Sequence, residues 1–523
     1  MNTLIHSFSY TGINAEPVDI EVEITAGLGI HLVGLADAST KEALLRTVTA
    51  LQANGYRIPG KKICIYLKPV NTPKRDTHYD LPLALAMVGA SGQEDLPEAD
   101  KYIVAGELGL DGSVRPVLGA MQAAELAKAT NAKGVILPKQ DAIAVEPFYG
   151  DALDVYGVST LKDAVTVLQG KPFPIIQEVI DTLPEKPAGE PKSAWSLLSV
   201  LPGRDAVMRA LEIAAAGGHD LLFVGAPGTG KTTAARALLE LLPPLSAEEA
   251  KENASLRSVS SAFINPYTYE ESLKKRPFRA PHYSASIATI IGGGVGMNIR
   301  PGEVSLANKG VLFLDDVVLF PKSAVEAIRT SLEDKYVTIS RLHTKVTYPA
   351  DYQLVAAMQP CPCGHYGEGD RCTCTASQRE AYLSRLNGPL YDHIDMQLYL
   401  NSVNAVNTAP AESAEDVAKR VAAARAIQTE RFKDEPFKLN ARMRTTHLEK
   451  YCPLDEECRQ LIESLIERLG LSARAFSRML RIARTIADLE GSETIKPAHL
   501  AEASSFRFLD RNIHNVLVNE KNA

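Results

Sequence analysis

The chain lacks any long apolar run: nothing in its 523 residues is hydrophobic for long enough to cross a bilayer. Its opening stretch, Met1-Asn-Thr-Leu-Ile-His-Ser-Phe, lacks the basic start and apolar core of a secretory signal. Cysteine is scarce and odd in number, seven in all, which argues against a secreted scaffold built on disulfides. A reducing cytoplasm and no membrane partner are therefore expected. An excess of positive charge is also missing, since 56 Lys and Arg face 63 Asp and Glu for a net charge of −7. The molecule as a whole does not attract nucleic acid, so DNA contact requires a local basic surface, for instance one repeated around an oligomer. What is present is an ordinary soluble composition, 45% hydrophobic and 23% charged. The length suits about three or four domains.

The most informative stretch is Leu221-Leu-Phe-Val, read as a buried strand, followed by Gly225-Ala226-Pro227-Gly228-Thr229-Gly230-Lys231-Thr232-Thr233 and a helical run. This is G-x-x-x-x-G-K-[ST], a phosphate-binding loop in its proper strand–turn–helix setting. Its glycines let backbone N–H groups turn inward around an anion, and the helix N-terminus adds a positive end. Lys231 is expected to reach the β- and γ-phosphates of ATP, and the Thr232 hydroxyl to sit on Mg²⁺.

Gly310-Val-Leu-Phe-Leu-Asp315-Asp316 reads as a second strand ending in two carboxylates. Asp315 is the candidate Mg²⁺ ligand and Asp316 the group that orients or deprotonates the attacking water. Tyr352-Gln-Leu-Val-Ala-Ala-Met-Gln359 is a buried strand ending in a polar side chain able to bond the water or the γ-phosphate. Directly after it, Cys361, Cys363, Cys372 and Cys374 form C-x-C-x8-C-x-C. Four thiolates suit a structural Zn²⁺, although each C-x-C is tighter than the usual spacing. The alternative is a reduced or redox-labile cysteine-rich loop.

Two further segments read as loops or hairpins. Ile291-Gly-Gly-Gly294 with Arg300-Pro-Gly-Glu303 suits either a pore-reaching loop or an ordinary surface loop. Tyr336 to Tyr348 reads as a hairpin with Arg341, His343 and Lys345 near its tip, basic enough for a phosphate backbone or simply solvated. Lys171 to Lys192 is rich in proline and charge, as a linker is. From about residue 406 onward the apolar spacing is helical.

Val33-Gly-Leu-Ala-Asp, Tyr79-Asp-Leu-Pro-Leu-Ala, Gly106-Glu-Leu-Gly-Leu-Asp-Gly and Val135-Ile-Leu-Pro resemble the N-terminal domain of ComM-type (YifB-like), magnesium-chelatase-like AAA+ ATPases. The resemblance runs in order through nearly the whole chain. It implies a Lon-protease-like (S5-type) α+β domain at 1–170, a linker at 171–192, an AAA+ core at 193–405 and a helical lid at 406–523. The glycine segment then matches the family's helix-2 insertion, and the basic hairpin matches the pre-sensor hairpin. Lon-type proteolysis needs a serine and a lysine. Asp80 stands where the serine is expected, and the lysine region reads Gly119-Ala-Met-Gln-Ala.

The resemblance also implies a hexameric ring with ATP between subunits, acting as a DNA-translocating or branch-migrating motor on single-stranded or branched DNA. It makes Gln359 the first sensor, His393 the occupant of the arginine-finger position, and Arg474 a second sensor on its own subunit's γ-phosphate. On residue spacing alone, Arg474, Arg478, Arg481 and Arg484 fit a solvated helix face equally well.

Four positions depart from the family pattern: Asp315-Asp316 for Asp-Glu, Gln359 for Asn, His393 for Arg, and Gly203-Arg204 for Gly-Gln. A finger is worth roughly 10³-fold or more in rate, so an ATP-binding but weakly hydrolysing switch or scaffold competes with the motor. A metal-chelatase-like motor subunit is a third reading.

Overall fold

Strand β2 (Asn14–Thr25) buries Val18, Ile20 and Val22 and turns the residues between them outward, as its period-two pattern requires. It lies beside β1 (Thr3–Thr11) in a mixed sheet that continues with β3 (Gly29–Val33), β4 (Lys62–Lys68) and β5 (Tyr102–Val104). After a small hairpin of β6 (Glu107–Leu108) and β7 (Val114–Arg115), the sheet is completed by β8 (Gly134–Pro138) and β9 (Asp154–Val158). Its order is β3-β4-β2-β1-β5-β8-β9. Helix Asp80–Ala90, every residue of which is buried, packs on this sheet. This computed structural model describes residues 3–34, 38–70, 77–181, 197, 204–260, 275–295, 298–341, 344–367, 371–385, 390–400, 412–469, 472–507 and 509.

The second sheet has the order β11-β14-β17-β10-β18, comprising β10 (Leu221–Gly225), β11 (Phe278–Arg279), β14 (Val311–Leu314), β17 (Gln353–Met358) and β18 (Met396–Leu400). All its pairings are parallel. The central strands β10, β14 and β17 are buried along their whole length, which explains their continuous apolar runs. Two hairpins stand off the sheet. One pairs β12 (Gly292–Val295) with β13 (Asn298–Pro301), and the other pairs β15 (Tyr336–Arg341) with β16 (Thr344–Pro349). Tyr348 Oη donates to Ile299 O at 2.6 Å, so the two hairpins are packed together.

Helices Ala414–Arg431, Thr445–Tyr451, Glu456–Leu469, Ala473–Leu489 and Pro497–Ser505 follow and share a core with β10 and its flanking helices. Within the stretch expected as linker, Ile176–Asp181 is a helix whose Ile176 is fully buried in the N-terminal domain's core. Residues 182–192 lie outside those described, as do Gly203 and His343.

Among the described residues, the N-terminal domain touches the core at two places. The Gly119 N–H donates to Ser258 O at 3.0 Å and the Met121 N–H to Ser258 Oγ at 3.1 Å, which seats helix Ala120–Ala129 on helix Ala247–Ser258. Gly12, in the β1–β2 turn, lies against β16; a Cβ there would stand 2.6 Å from Val346 Cγ1.

Candidate nucleotide site

Parallel strands place their C-terminal ends along one edge, where α/β sheets bind ligands. Here that edge carries three of the expected groups. β10 runs into the loop Ala226–Gly230, in which Gly228 and Gly230 have φ of +79° and +85°, the left-handed region that glycine enters without strain. Helix Lys231–Leu241 then starts with its N-terminus toward the loop. Lys231 Nζ donates to Gly225 O and Ala226 O, both at 2.8 Å. An ammonium has three donors, which leaves one for a phosphate oxygen. Burial pulls the Lys231 pKa down, while Asp316 and Asp315 pull it back up.

Thr232 Oγ1 donates to Asp315 Oδ2 at 3.3 Å, so the two expected Mg²⁺ ligands meet. Asp316 adopts φ +51°, ψ +52°. For a residue other than glycine this left-handed backbone costs on the order of 1 kcal/mol, and aspartate tolerates it better than longer side chains do. The backbone thus gives a physical reason for Asp at a position where Glu is usual. Gln359 Nε2 reaches Asp316 Oδ1 at 3.4 Å. The shorter acid and the longer amide thus meet across the site. Tyr382, missed by sequence reasoning, is packed here as well. Burial raises its pKa, with Asp316 adding to the rise, and it accepts a backbone hydrogen bond from Gln359.

The other two expected residues lie elsewhere. Met396 of β18 is level with Leu221, and Leu400 with Gly225. His393 and Asp392, before β18, therefore stand at the N-terminal edge of the sheet, opposite the phosphate loop. Arg474 is tied to this edge by Nη1 to Asp392 Oδ2 at 2.7 Å. The register of the sheet thus stands between Arg474 and its own chain's phosphate loop in this structure. Its side chain is 77% exposed.

His393 Nε2 is 2.9 Å from Glu333 Oε1. Burial pulls the His393 pKa down, and the nearby Arg478 pulls the same way. The other arginines of helix Ala473–Leu489 are not a solvated row. Arg478 donates to Ile394 O and Arg481 to Ala441 O. Arg484 is 1% exposed and bonds Asp488, Ser492 O and Glu493 O.

The cysteines converge. Cys361, Cys363, Cys372 and Cys374 place their Sγ atoms within 4.8 Å of one another. Burial pushes Cys361 up to about 12, and the His365 backbone N–H pulls Cys363 down to about 6.

In the N-terminal domain, Asp80 is fully buried and closed by Arg46, which donates from Nε at 2.9 Å and Nη2 at 3.1 Å. The Leu108 N–H also donates to this carboxylate, at 3.2 Å. Burial raises Asp80 to about 6. A carboxylate held this way is a structural anchor, with neither the hydroxyl nor the lysine of a Lon-type site.

Residues 198–408 match the family described as "Magnesium chelatase, subunit ChlI", and residues 411–507 the family of its C-terminal part. Residues 20–141 match "Subunit ChlI of Mg-chelatase". Over 97% of both chains, the protein is 39% identical to "Uncharacterized protein YifB" of Salmonella typhimurium. It is 37% identical to "Competence protein ComM" of Haemophilus influenzae, over 97% of this chain and 98% of that one. The chain belongs to the magnesium-chelatase-like family and is of the ComM/YifB type. It is thus an AAA+ ATPase-like protein, from a family that implies nucleotide and Mg²⁺ use. In this ComM/YifB-type chain, the loop from Gly225 to Thr233 and the Thr232–Asp315 contact lie together at the C-terminal edge of the parallel sheet. Among the described residues no helix is long and apolar enough to cross a membrane.

Proposed function

We propose that this protein is an ATP-hydrolysing ring motor that moves along single-stranded or branched DNA. The observation that carries the reading is the split of the catalytic set between two edges of one sheet. The loop, Asp315, Asp316 and Gln359 stand at one edge, and exposed Arg474 stands at the other. Only a second copy of the chain can bring the two together, which is the geometry of a closed ring. Within one site, Asp316 accepts the proton of a water that Gln359 helps to hold, and Lys231 offsets charge on the phosphates.

The DNA surface is formed by the paired hairpins. Arg300, Arg341 and Lys345 are exposed on them, and Gly293 approaches Arg341 Nη2, to which a Cβ there would lie at 3.6 Å. Repeated around a ring, these residues line a basic path despite the net charge of −7. The name of the Haemophilus influenzae relative, a competence protein, also points toward DNA. The N-terminal domain is read as Lon-protease-like in fold and inert as a protease. The test is steady-state ATP turnover with and without single-stranded and branched DNA. Stimulation that disappears in Arg341→Glu, Lys345→Glu protein is expected, and DNA-independent turnover would reject the motor.

A second reading is favoured by His393. It is drawn toward its own chain's Glu333, while burial and the nearby Arg478 lower its pKa and so disfavour the charged imidazolium. A neutral imidazole stabilises a phosphoryl transition state less than a guanidinium does. On this reading the ring binds ATP but turns over slowly, as a switch or scaffold. His393→Arg is then expected to raise kcat at least ~10-fold, about 1.4 kcal/mol of barrier. An unchanged kcat would favour the brisk motor.

A further inference from the structure

The four cysteines have the spacing of a metal site. Cys361 Sγ lies 3.3 Å from Cys363 Sγ and 3.8 Å from Cys372 Sγ, and Cys363 Sγ lies 3.7 Å from Cys372 Sγ. Sulfurs bound tetrahedrally to zinc at about 2.3 Å stand roughly 3.8 Å apart, whereas a disulfide needs about 2.05 Å. The separations fit four ligands around one centre and not a bonded pair. Cys361 is buried and the other three are partly exposed, which leaves an entry path.

The position of the knot matters as much as its shape. Cys361 follows Gln359 by two residues. Gly364, between the two pairs, is pressed against the nucleotide edge; a Cβ there would stand 2.7 Å from Gln359 Oε1 and 2.7 Å from Pro227 Cδ. Tyr366 O accepts from Tyr399 Oη of β18 at 3.0 Å. Arg379 stacks on the Tyr366 ring at 4.5 Å and donates to Cys374 O at 2.7 Å. Thr375, directly after Cys374, caps the helix Ala376–Leu383 that carries Tyr382. The knot therefore touches the phosphate loop, the sensor strand and the helix behind them.

We propose that Cys361, Cys363, Cys372 and Cys374 bind one zinc ion, and that this ion holds Gln359 in place against the phosphate loop, so that ATP turnover depends on zinc. The dependence rests on the ATPase reading above; the metal site does not. Without the ion the two C-x-C turns are joined only through the weaker Arg379 contacts to Tyr366 and Cys374 O, among the contacts described above, Gly364 is less firmly held against Gln359, and the contact between Gln359 and Asp316 loosens. ADP binding, which uses the loop and Lys231, is spared.

The experiment uses the full-length chain, purified anaerobically and reconstituted with Zn²⁺. Elemental analysis is expected to find about one zinc per chain. Cys361→Ser, Cys372→Ser protein is expected to lose it, with turnover reduced at least ~10-fold and ADP affinity held within about two-fold. Gly364→Ala, which keeps all four thiols, is expected to retain zinc and still lose turnover. This second variant decides the matter if the cysteine variant fails to fold. Metal-free protein with freely titrating thiols overturns the site. Zinc bound by the wild-type protein and lost by the cysteine variant, with turnover unchanged in both variants, overturns the coupling. If the wild-type protein hydrolyses no ATP at all, the ATPase reading has failed while the zinc count still stands. Coupling is then read from a non-hydrolysable ATP analogue, whose affinity must fall on zinc loss while that of ADP holds.

Discussion

Lys231→Ala is expected to weaken ATP binding at least ~100-fold, about 2.7 kcal/mol, without unfolding the chain. Lys231 is only 8% exposed, and its ammonium bridges Gly225 O and Ala226 O at the throat of the loop. Alanine removes the ammonium that the proposed ATP site aims at the β- and γ-phosphates, and charge-assisted bonds to phosphate are the strong ones. The lost aliphatic stem is short, and helix Lys231–Leu241 stays anchored by buried Ala234, Ala235, Leu238 and Leu241. Titration calorimetry with ATP·Mg²⁺ measures the loss, and an unchanged circular dichroism spectrum controls for folding. Wild-type affinity in this variant would remove the nucleotide site altogether. The same protein also tests the division of the site between copies. Mixed with Arg474→Ala chains, themselves inactive on the ring reading, it should restore part of the turnover. A mixture as inactive as its components would place the Arg474 role elsewhere.

The largest stability loss is expected at Asp488. This carboxylate is fully buried in the lid, where Arg431 donates to it from Nη1 at 2.7 Å and Nη2 at 2.5 Å. Arg484 Nε at 3.1 Å and Asn440 Nδ2 at 2.8 Å complete its shell. The shell continues outward through Asn440 to Thr485, from Thr485 to His219, and from His219 to Asp395 at the edge of the core sheet. Asp488→Ala leaves two arginines in the interior without their counter-charge. Removing one partner of a buried pair costs about 3–5 kcal/mol. Chemical denaturation should show the lid transition at a clearly lower denaturant concentration. Asp488→Asn, which keeps the shape and some of the hydrogen bonds, should fall between the two. A loss below ~1 kcal/mol, the range of exposed pairs, would mean that the network is wetter than its burial implies.

Both variants act on features that differ in how far they could be read from the chain. The phosphate loop was legible because its chemistry is local: strand, glycine turn and helix follow each other within a dozen residues, and each needs its own residue type. The strands ending in Asp315-Asp316 and Gln359 were legible for the same reason, since continuous apolar runs mark central parallel strands. So were the lid helices from their apolar spacing, and the cysteines as a C-x-C pair of pairs. The helix within the presumed linker was not, because Ile176 declares itself only by the core that receives it.

By itself the sequence determined the family: its glycine-rich loop after a buried strand, its strand-end carboxylates, its four departures from the family pattern and its lack of a membrane-crossing run. Tertiary structure alone decided which of these groups share a site. The parallel register of β10 and β18 sends His393 and Arg474 to the far edge of the sheet. The left-handed turn at Asp316 brings a short acid to a long amide. Arg46, 34 residues from Asp80 in the chain, closes over its buried carboxylate. Gly364 and Pro227, far apart in sequence, meet beside Gln359. The physical reason is the same each time. Propensity and periodicity act over a few neighbouring residues, whereas a site is made by side chains that strand register and core packing bring together from distant parts of the chain.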